Sequence, residues 1–197
     1  MSNPIVLFDM DGTLCDYEGA MLQRMNELRA PYEPPITTFP DDRIPHLAAR
    51  MKLIKNQPGF WRELPRLEDG YDILDFVSKF TQNVHVLTKG PWATHAAWTE
   101  KVEWCRHNLP HSVKVTITEE KGIVYGKMLV DDWPPYIESW LAHRPRGLVV
   151  MPDRTYNRDF EHPQVLRYMR TTEDPSCYAT RKRIEAHLSV QNYAKDI

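Results

Sequence analysis

Short apolar runs alternate along this chain with segments whose apolar residues recur at helical spacing. The runs that predict buried strands lie at 5–8, 84–87, 113–117, 128–130 and 147–151. The segments that predict helices carry apolar stripes at 21–28, 47–54, 73–80, 98–109 and 137–141. Strands that alternate with helices are typical of a parallel sheet. The pattern therefore predicts an α/β fold in which helices sandwich a parallel sheet.

The segment 17–66 interrupts this alternation after the first strand. It holds two helical stripes, at 18–29 and 47–54, separated by a proline-rich stretch that cannot be helical. We expect this segment to form a small helical cap, with 1–16 and 67–197 together forming the core. A plain helical hairpin packed on the sheet is the alternative.

The carboxyl-terminal part of the chain gives the weakest signal. Residues 152–177 are polar, contain several prolines and predict no element. A helix is expected near 178–190.

The composition fits a compact protein without a membrane or nucleic-acid signature. Hydrophobic residues make up 42% and charged residues 26% of the 197 residues, and the net charge is −2. No apolar stretch approaches the roughly 20 residues of a transmembrane helix. The amino terminus lacks a basic segment followed by an apolar one, and the three cysteines are widely spaced. We therefore expect a cytoplasmic protein with reduced thiols that binds no membrane and no long nucleic acid.

The most informative residues follow the first strand, where Asp9 and Asp11 precede Gly12 and Thr13. Side chains alternate along a strand, so both acids would share a face if the strand stayed extended. The carboxyl ends of parallel strands are where α/β sheets bind ligands. Two carboxylates this close repel unless a cation lies near them. The pattern favours a Mg²⁺-dependent phosphoryl-transfer site over a polar strand end that merely turns into a helix.

Polar residues follow two further strands. Thr88 ends the run at 84–87, and Asp131 and Asp132 follow the run at 128–130, with Lys121 shortly before it. Each has an ordinary explanation alone: a cap residue, a solvated turn and a surface charge. Their order on successive strand ends predicts one shared site.

These four motifs resemble those of the haloacid dehalogenase superfamily of phosphatases, which implies a Rossmann-like core. The resemblance implies that Asp9 is the nucleophile, forming an aspartyl-phosphate, and that Asp11 is the general acid and base. It implies that the Thr88 hydroxyl and the Lys121 ammonium bind the phosphate. Lys121 would also pair with Asp9, which predicts a lowered carboxyl pKa and an ionised nucleophile.

The same resemblance implies Mg²⁺ as the cofactor. Its ligands would be the Asp9 carboxylate, the backbone carbonyl of Asp11 and one acid of the pair Asp131 and Asp132. Asp132 is the preferred acid of the pair, and Asp131 would then hold a metal-bound water.

Further segments resemble one branch of the superfamily, the 5′(3′)-deoxyribonucleotidases. They are an aromatic residue, Tyr17, eight positions after Asp9, the stretch 58–65, and most of 102–134. The resemblance implies hydrolysis of a deoxynucleoside monophosphate. It also implies a possible homodimer, because dimers are common among similar enzymes. Aromatic side chains of the cap would stack on the base; the candidates are Tyr17, Phe39, Phe60 and Trp61. For Phe60 and Trp61, core packing is the favoured interpretation.

Two positions depart from the branch. Lys89 stands after Thr88 where Ser is common, and Trp133 stands after the paired acids where Arg is common. Lys89 would add positive charge near the phosphate or point to solvent. Both departures bear on the substrate and leave the catalytic residues intact.

Three other functions are compatible with the motifs. The chain could be a phosphatase of another small phosphorylated metabolite, or a catalytically silent binding module on the same fold. A polynucleotide end phosphatase would need a basic groove, but 17–66 hold eight Lys or Arg against six Asp or Glu.

Overall fold

A computed structural model describes residues 3–170 and 175–189 of the chain. Within these residues one six-stranded sheet has the strand order β3-β2-β1-β4-β5-β6. The strands are β1 (Val6–Phe8), β2 (Val84–Lys89), β3 (Lys114–Thr118), β4 (Met128–Val130), β5 (Leu148–Pro152) and β6 (Val165–Tyr168). Every neighbouring pair is parallel. The predicted α/β fold is therefore confirmed.

Helices follow the strands in the predicted alternation. They are α1 (Tyr17–Glu27), α2 (Pro45–Lys55), α3 (Glu68–Val77), α4 (His95–Asn108), α5 (Pro134–Ala142) and α6 (Pro175–Ser189). The expected carboxyl-terminal helix is confirmed in α6, except for position 190, which lies outside the described residues. The helix predicted to reach Phe80 ends at Val77, since Ser78 forms its carboxyl-terminal cap.

Strand β6 was not predicted. It lies in the stretch 152–177 that gave no signal, and it is an edge strand that pairs only with β5 among the described strands. Three of its four residues are half-buried, and a charged residue, Arg167, interrupts the apolar ones. A short edge strand of this kind lacks the continuous apolar run by which the central strands were recognised.

The buried face of α4 overlaps the predicted one only in part. In the predicted stripe, Cys105 and Leu109 are buried, whereas Trp98 and Val102 are only half-buried. The prediction was confirmed for Cys105 and Leu109 and wrong for Trp98 and Val102, because it counted apolar residues alone.

Ala97, Lys101 and Trp104 are buried although they lie outside that stripe. Lys101 lies on the inner face, where the Asp11 carboxylate of the loop after β1 pairs with it.

The segment 17–66 packs on the sheet through a continuous apolar cluster. Met21 and Met25 of α1 and Ile54 of α2 join the same cluster as Val6 and Phe8 of β1. Next to this cluster, the buried carboxylate of α4 residue Glu100 accepts hydrogen bonds from two backbone amides of 59–61. These are Gly59 N at 2.7 Å and Trp61 N at 3.1 Å.

The sheet order brings the acid-bearing strand ends together. Strand β1 lies between β2 and β4, and all three run in the same direction. Asp9, Thr88 and Asp131 therefore lie at neighbouring carboxyl ends. This edge of the sheet is also where the strand order changes direction, which is the usual ligand site of such folds.

Candidate active site

The loop after β1 turns sharply and separates the two acids that begin it. The backbone oxygen of Met10 accepts hydrogen bonds from the N–H groups of Leu14 (2.8 Å) and Cys15 (2.9 Å). Gly12 has φ +80°, a left-handed conformation that side chains disfavour. The backbone therefore does not stay extended, and Asp9 and Asp11 contact different lysines.

Asp9 lies at the base of the site beside Lys121. The Lys121 Nζ is 2.6 Å from Asp9 Oδ1 and 3.0 Å from Asp131 Oδ2. The side chains of Lys121 and Asp131 are almost fully buried. The second Asp131 oxygen, Oδ1, accepts a hydrogen bond from Trp133 N at 2.9 Å. Both oxygens of Asp131 therefore have protein partners.

Asp132 is held by two hydroxyl groups. Thr13 Oγ1 donates to Asp132 Oδ1 at 2.7 Å, and the Tyr156 hydroxyl donates to Asp132 Oδ2. A Cβ atom at Gly12 would lie 2.4 Å from Asp132 Oδ2, so glycine is needed there for space as well as for its backbone angle. Asp132 lines the open cavity above the site.

Three buried carboxylates meet at this point. Asp9, Asp131 and Asp132 each offer an oxygen within 4.8 Å of the others. Burial raises the pKa of Asp9 above its ordinary value; Lys121 acts in the opposite direction, while Asp131 and Asp11 add to the rise. Lys121 lowers the pKa of Asp9 as predicted, but the prediction of a lowered pKa overall was wrong, because burial outweighs one ammonium group.

The pKa values of the other ionisable groups in the cluster are also raised. Burial raises the pKa of Asp131, and burial together with Asp9 raises the pKa of Asp132 to about 6. Burial alone would lower the pKa of Lys121, but Asp131 and Asp9 together raise it. The buried negative charge exceeds what Lys121 compensates. Hard oxygen donors with excess negative charge fit a divalent cation such as Mg²⁺.

Asp11 contacts a lysine that sequence analysis missed. The Lys101 ammonium forms an ion pair with Asp11 and donates to Thr88 Oγ1 at 3.0 Å and to the Lys89 backbone oxygen at 2.9 Å. It also lies 4.8 Å from the centroid of the Trp61 ring. The available signal was Lys101 itself, a charged residue between Ala97 and Trp104 on one helical face.

An open cavity of about 680 Å³ lies above these residues, a volume typical of small-molecule sites. Asp9, Asp11, Lys101, Lys121 and Asp132 line its polar end. Tyr17, Phe39 and Trp61 line one side of it. The rings of Tyr17 and Trp61 are stacked with centroids 5.5 Å apart, and Phe39 lies 5.9 Å from Tyr17.

The two other aromatic candidates differ. Phe60 is buried, packs edge-on against Trp61 and does not line this cavity. Trp61 is 4% exposed, which agrees with core packing, yet it also lines the cavity.

The two departures from the branch lie at the rim of the cavity. The Lys89 side chain is exposed and its Nζ lies 5.7 Å from the Tyr136 ring centroid. Trp133 is 43% exposed and contacts the Tyr156 ring at 5.6 Å between centroids. The rim is thus aromatic, with one lysine that extends toward solvent.

A protein-family model matches residues 3–172 of the chain; it describes the 5′ nucleotidase, deoxy (pyrimidine), cytosolic type C protein family. The chain belongs to this family. Membership makes it a phosphatase-type hydrolase similar to the 5′-deoxyribonucleotidases, in agreement with the resemblance found in its motifs.

Relatives of this nucleotidase support the same assignment. A Bordetella bronchiseptica protein named "Putative 5'(3')-deoxyribonucleotidase" is 27% identical over 165 residues, covering 79% of this chain and 86% of that protein. The human "5'(3')-deoxyribonucleotidase, cytosolic type" is 27% identical over 140 residues, covering 64% of this chain and 69% of that protein.

A solved structure shows the fold independently. A haloacid dehalogenase-like family hydrolase from Xanthomonas campestris has a TM-score of 0.53 at 14% identity, and the match covers 96% of this chain and 100% of that chain.

Within residues 3–170 and 175–189, none of the helices combines the length and apolar character that crossing a membrane requires.

Proposed function

We propose that this nucleotidase hydrolyses (deoxy)nucleoside monophosphates to nucleoside and phosphate, with Mg²⁺ and through an aspartyl-phosphate on Asp9. The observation that carries the proposal is the position of Asp9. Its carboxylate is buried beside Lys121 and two further acids, yet it faces a cavity with aromatic side chains. The family description and the names of both relatives support a nucleotide substrate.

The metal would be held by Asp9, by Asp132 and by the backbone carbonyl of Asp11. Asp132 is preferred over Asp131 because Asp132 lines the cavity and its two partners are neutral hydroxyl groups, whereas Asp131 does not line the cavity and pairs with the Lys121 ammonium. When bound, Mg²⁺ would offset the charge of the phosphate and of the nucleophile. Asp131 would then orient Lys121.

In the first half-reaction, an Asp9 carboxylate oxygen attacks phosphorus. The bond between phosphorus and the ester oxygen breaks, and Asp11 in its protonated form gives its proton to that leaving oxygen. The products are the free nucleoside and an aspartyl-phosphate. Thr88 and Lys121 would hold the phosphoryl oxygens during this step.

In the second half-reaction, Asp11 acts as the base. It takes a proton from a water molecule, whose oxygen attacks phosphorus, and the bond between phosphorus and the Asp9 oxygen breaks. Inorganic phosphate leaves and the Asp9 carboxylate is restored. Asp11 is again protonated, so the cycle closes without an outside proton source.

Lys101 is a further candidate for phosphate binding. Its ammonium bridges Asp11 and Thr88, so a phosphoryl oxygen bound by the Thr88 hydroxyl would meet the same positive charge. Lys101 would also hold the Asp11 side chain close to the Thr88 hydroxyl. Lys89 is exposed and would contribute only long-range attraction.

The segment 17–66 is proposed as the cap that selects the leaving group. Tyr17 begins α1 and stacks on Trp61, and Phe39 completes the aromatic side of the cavity. A nucleobase offers a flat face that such rings bind well. Phe60 would support Trp61 by packing against its ring.

A cytoplasmic location and a homodimer remain predictions. The words "cytosolic type" in the human relative's name support the cytoplasmic location.

Phosphate release from a substrate panel with Mg²⁺ tests the proposal. The panel holds nucleoside and deoxynucleoside monophosphates, sugar phosphates and a generic aryl phosphate. We expect the highest kcat/KM on one or a few deoxynucleoside monophosphates. Turnover of sugar phosphates alone would overturn the nucleotide assignment and leave the phosphatase chemistry. No turnover of any substrate would favour a binding module.

The nucleophile is tested by Asp9→Asn, which removes the attacking oxygen anion and keeps the side-chain shape. We expect turnover to fall to background with an unchanged fold by circular dichroism. Asp75→Asn is the matched control, because Asp75 is exposed on α3, and it should retain full activity. Substantial activity in Asp9→Asn would refute the assignment of Asp9.

A further inference from the structure

The loop between β5 and β6 contacts both acid-bearing loops of the site. Arg154 Nε donates to the backbone oxygen of Gly12 at 2.8 Å. The same guanidinium pairs with both carboxylate oxygens of Asp69 at the start of α3, at 2.6 and 3.1 Å. The loop is therefore fixed to the turn that follows β1.

Asn157 attaches the same loop to the turn that follows β4. This residue is 1% exposed, and its Nδ2 donates to the Asp132 backbone oxygen at 2.9 Å and to Pro152 O at 3.0 Å. Its Oδ1 accepts from Arg167 Nη1 at 2.9 Å and from Arg154 N at 3.1 Å. The amide side chain is thus held at both ends, and β6 supports it through Arg167.

Between these two attachments lies Tyr156, whose hydroxyl donates to Asp132 Oδ2. A phenol is protonated at neutral pH, so it can act as the donor to a carboxylate. Thr13 donates to the other Asp132 oxygen. The carboxylate plane of Asp132 is therefore fixed by one donor from each side, although the neighbouring carboxylates of Asp9 and Asp131 repel it.

Such a donor has a defined effect on a metal site. A ligating carboxylate that is held in its binding orientation loses less conformational freedom when a metal binds. Without the donor, repulsion by Asp9 and Asp131 would favour rotamers of Asp132 that point away from them. The loop 153–157 otherwise has no role in the chemistry described above, yet its polar side chains converge on Asp132 and Gly12.

We propose that Tyr156, carried by the loop 153–157, is a positioning residue that sets the affinity of the site for its divalent cation by orienting Asp132. This inference rests on the proposed function, since it assumes that Asp132 is a metal ligand. Tyr156 also lines the cavity. The alternative is a residue that contacts the substrate and leaves the metal unaffected.

The test is Mg²⁺ binding measured by isothermal titration calorimetry on the full chain, freed of metal by chelation and without substrate. Tyr156→Phe removes a single oxygen atom. Its matched control is Tyr71→Phe, because the Tyr71 hydroxyl donates to Asn108 O away from the acids. Asp132→Asn serves as the reference for loss of the site, and the thermal midpoint of each metal-free variant reports on folding.

We expect Tyr156→Phe to bind Mg²⁺ about 10- to 100-fold more weakly than the wild type, which is typical of lost outer-sphere support. Its metal-free thermal midpoint should match that of Tyr71→Phe, and activity should recover as Mg²⁺ is raised. Equal or tighter Mg²⁺ binding in Tyr156→Phe would overturn the inference. A higher KM for the substrate with unchanged Mg²⁺ affinity would assign Tyr156 to substrate contact. A wild type that binds no Mg²⁺ would instead refute the proposed metal site.

Discussion

Lys101 and Lys89 lie at the same cavity in opposite environments. Lys101 is 1% exposed, and its ammonium contacts Asp11, Thr88 and a backbone oxygen. Lys89 extends toward solvent, where water and salt screen its charge. Charge alone would rank the two lysines equally for phosphate binding, whereas burial and hydrogen bonding rank Lys101 first.

We therefore predict that Lys101→Met lowers kcat/KM by about 10- to 100-fold, the range expected for a lost hydrogen bond to a charged group. Lys89→Met is the matched comparison and should change kcat/KM by no more than about threefold. Steady-state kinetics of both variants at one ionic strength decides the ranking. Equal losses in the two variants would contradict it.

The predictability of individual site residues follows from where they lie. Asp9, Thr88 and Asp131 follow apolar strands, so a sequence pattern marks them directly. Lys101 lies in the middle of a helix and Tyr156 lies in a polar loop, and tertiary contacts alone bring them to the acids. Helical periodicity can place Lys101 on the inner face of α4, but it does not identify the acid that the lysine contacts.

At the scale of elements, α3 approaches the turn after β1 more closely than a side chain would allow. Gly70 lies in the first turns of this helix, and a Cβ atom there would lie 2.0 Å from the backbone oxygen of Thr13. Thr13 in turn donates to Asp132. The contact is between backbones, so no side-chain rotation can relieve it.

This contact reverses the usual effect of a glycine in a helix. Gly→Ala within a helix ordinarily stabilises by about 0.5–1 kcal/mol. We predict that Gly70→Ala instead lowers the free energy of unfolding by about 1–3 kcal/mol, as overpacking does. Urea denaturation of the variant and the wild type measures this difference in the free energy of unfolding. Asp75→Ala, at an exposed position of the same helix, should stay within about 0.5 kcal/mol of the wild type. A stabilised Gly70→Ala would show that the loop can move away.

The elements themselves were predictable where burial made their pattern continuous. The strands β1, β2, β4 and β5 lie in the interior of the sheet, and β1, β4 and β5 are buried at every position. Edge strand β6 and the inner face of α4 departed from the pattern because tertiary contacts, Arg167 with Asn157 and Lys101 with Asp11, stabilise polar residues there. Apolar periodicity predicts burial only where packing is apolar.

For the whole molecule, the order of motifs predicted one site, but its charge balance needed the three-dimensional structure. Three acids and one lysine could be counted in the sequence. Their burial could not, and burial is what raises the carboxyl pKa values above those of the unfolded chain. The folded, metal-free nucleotidase therefore holds protons on this cluster at a pH where the unfolded chain has released them.

This difference links stability to pH. The pKa of Asp132 rises from 3.8 to about 6 on folding, so the folded state binds more protons between these values. The contribution of such a group to the free energy of unfolding is fully present below pH 3.8 and is lost as pH rises through about 6. In the proposed function Mg²⁺ would bind the ionised carboxylates, so protons would compete with it at low pH. We predict that saturating Mg²⁺ raises the thermal unfolding midpoint more at pH 7.5 than at pH 5, measured against samples with chelator.

A variant separates this cluster from the rest of the protein. Asp132→Asn keeps the side-chain size and removes one ionisable ligand, so the Mg²⁺-dependent rise of the midpoint should shrink at pH 7.5 and change little at pH 5. Asp75→Asn changes an exposed carboxylate and should leave both differences as in the wild type. An equal Mg²⁺ effect at the two pH values in the wild type would mean that the cation binds elsewhere, at groups whose ionisation is complete by pH 5.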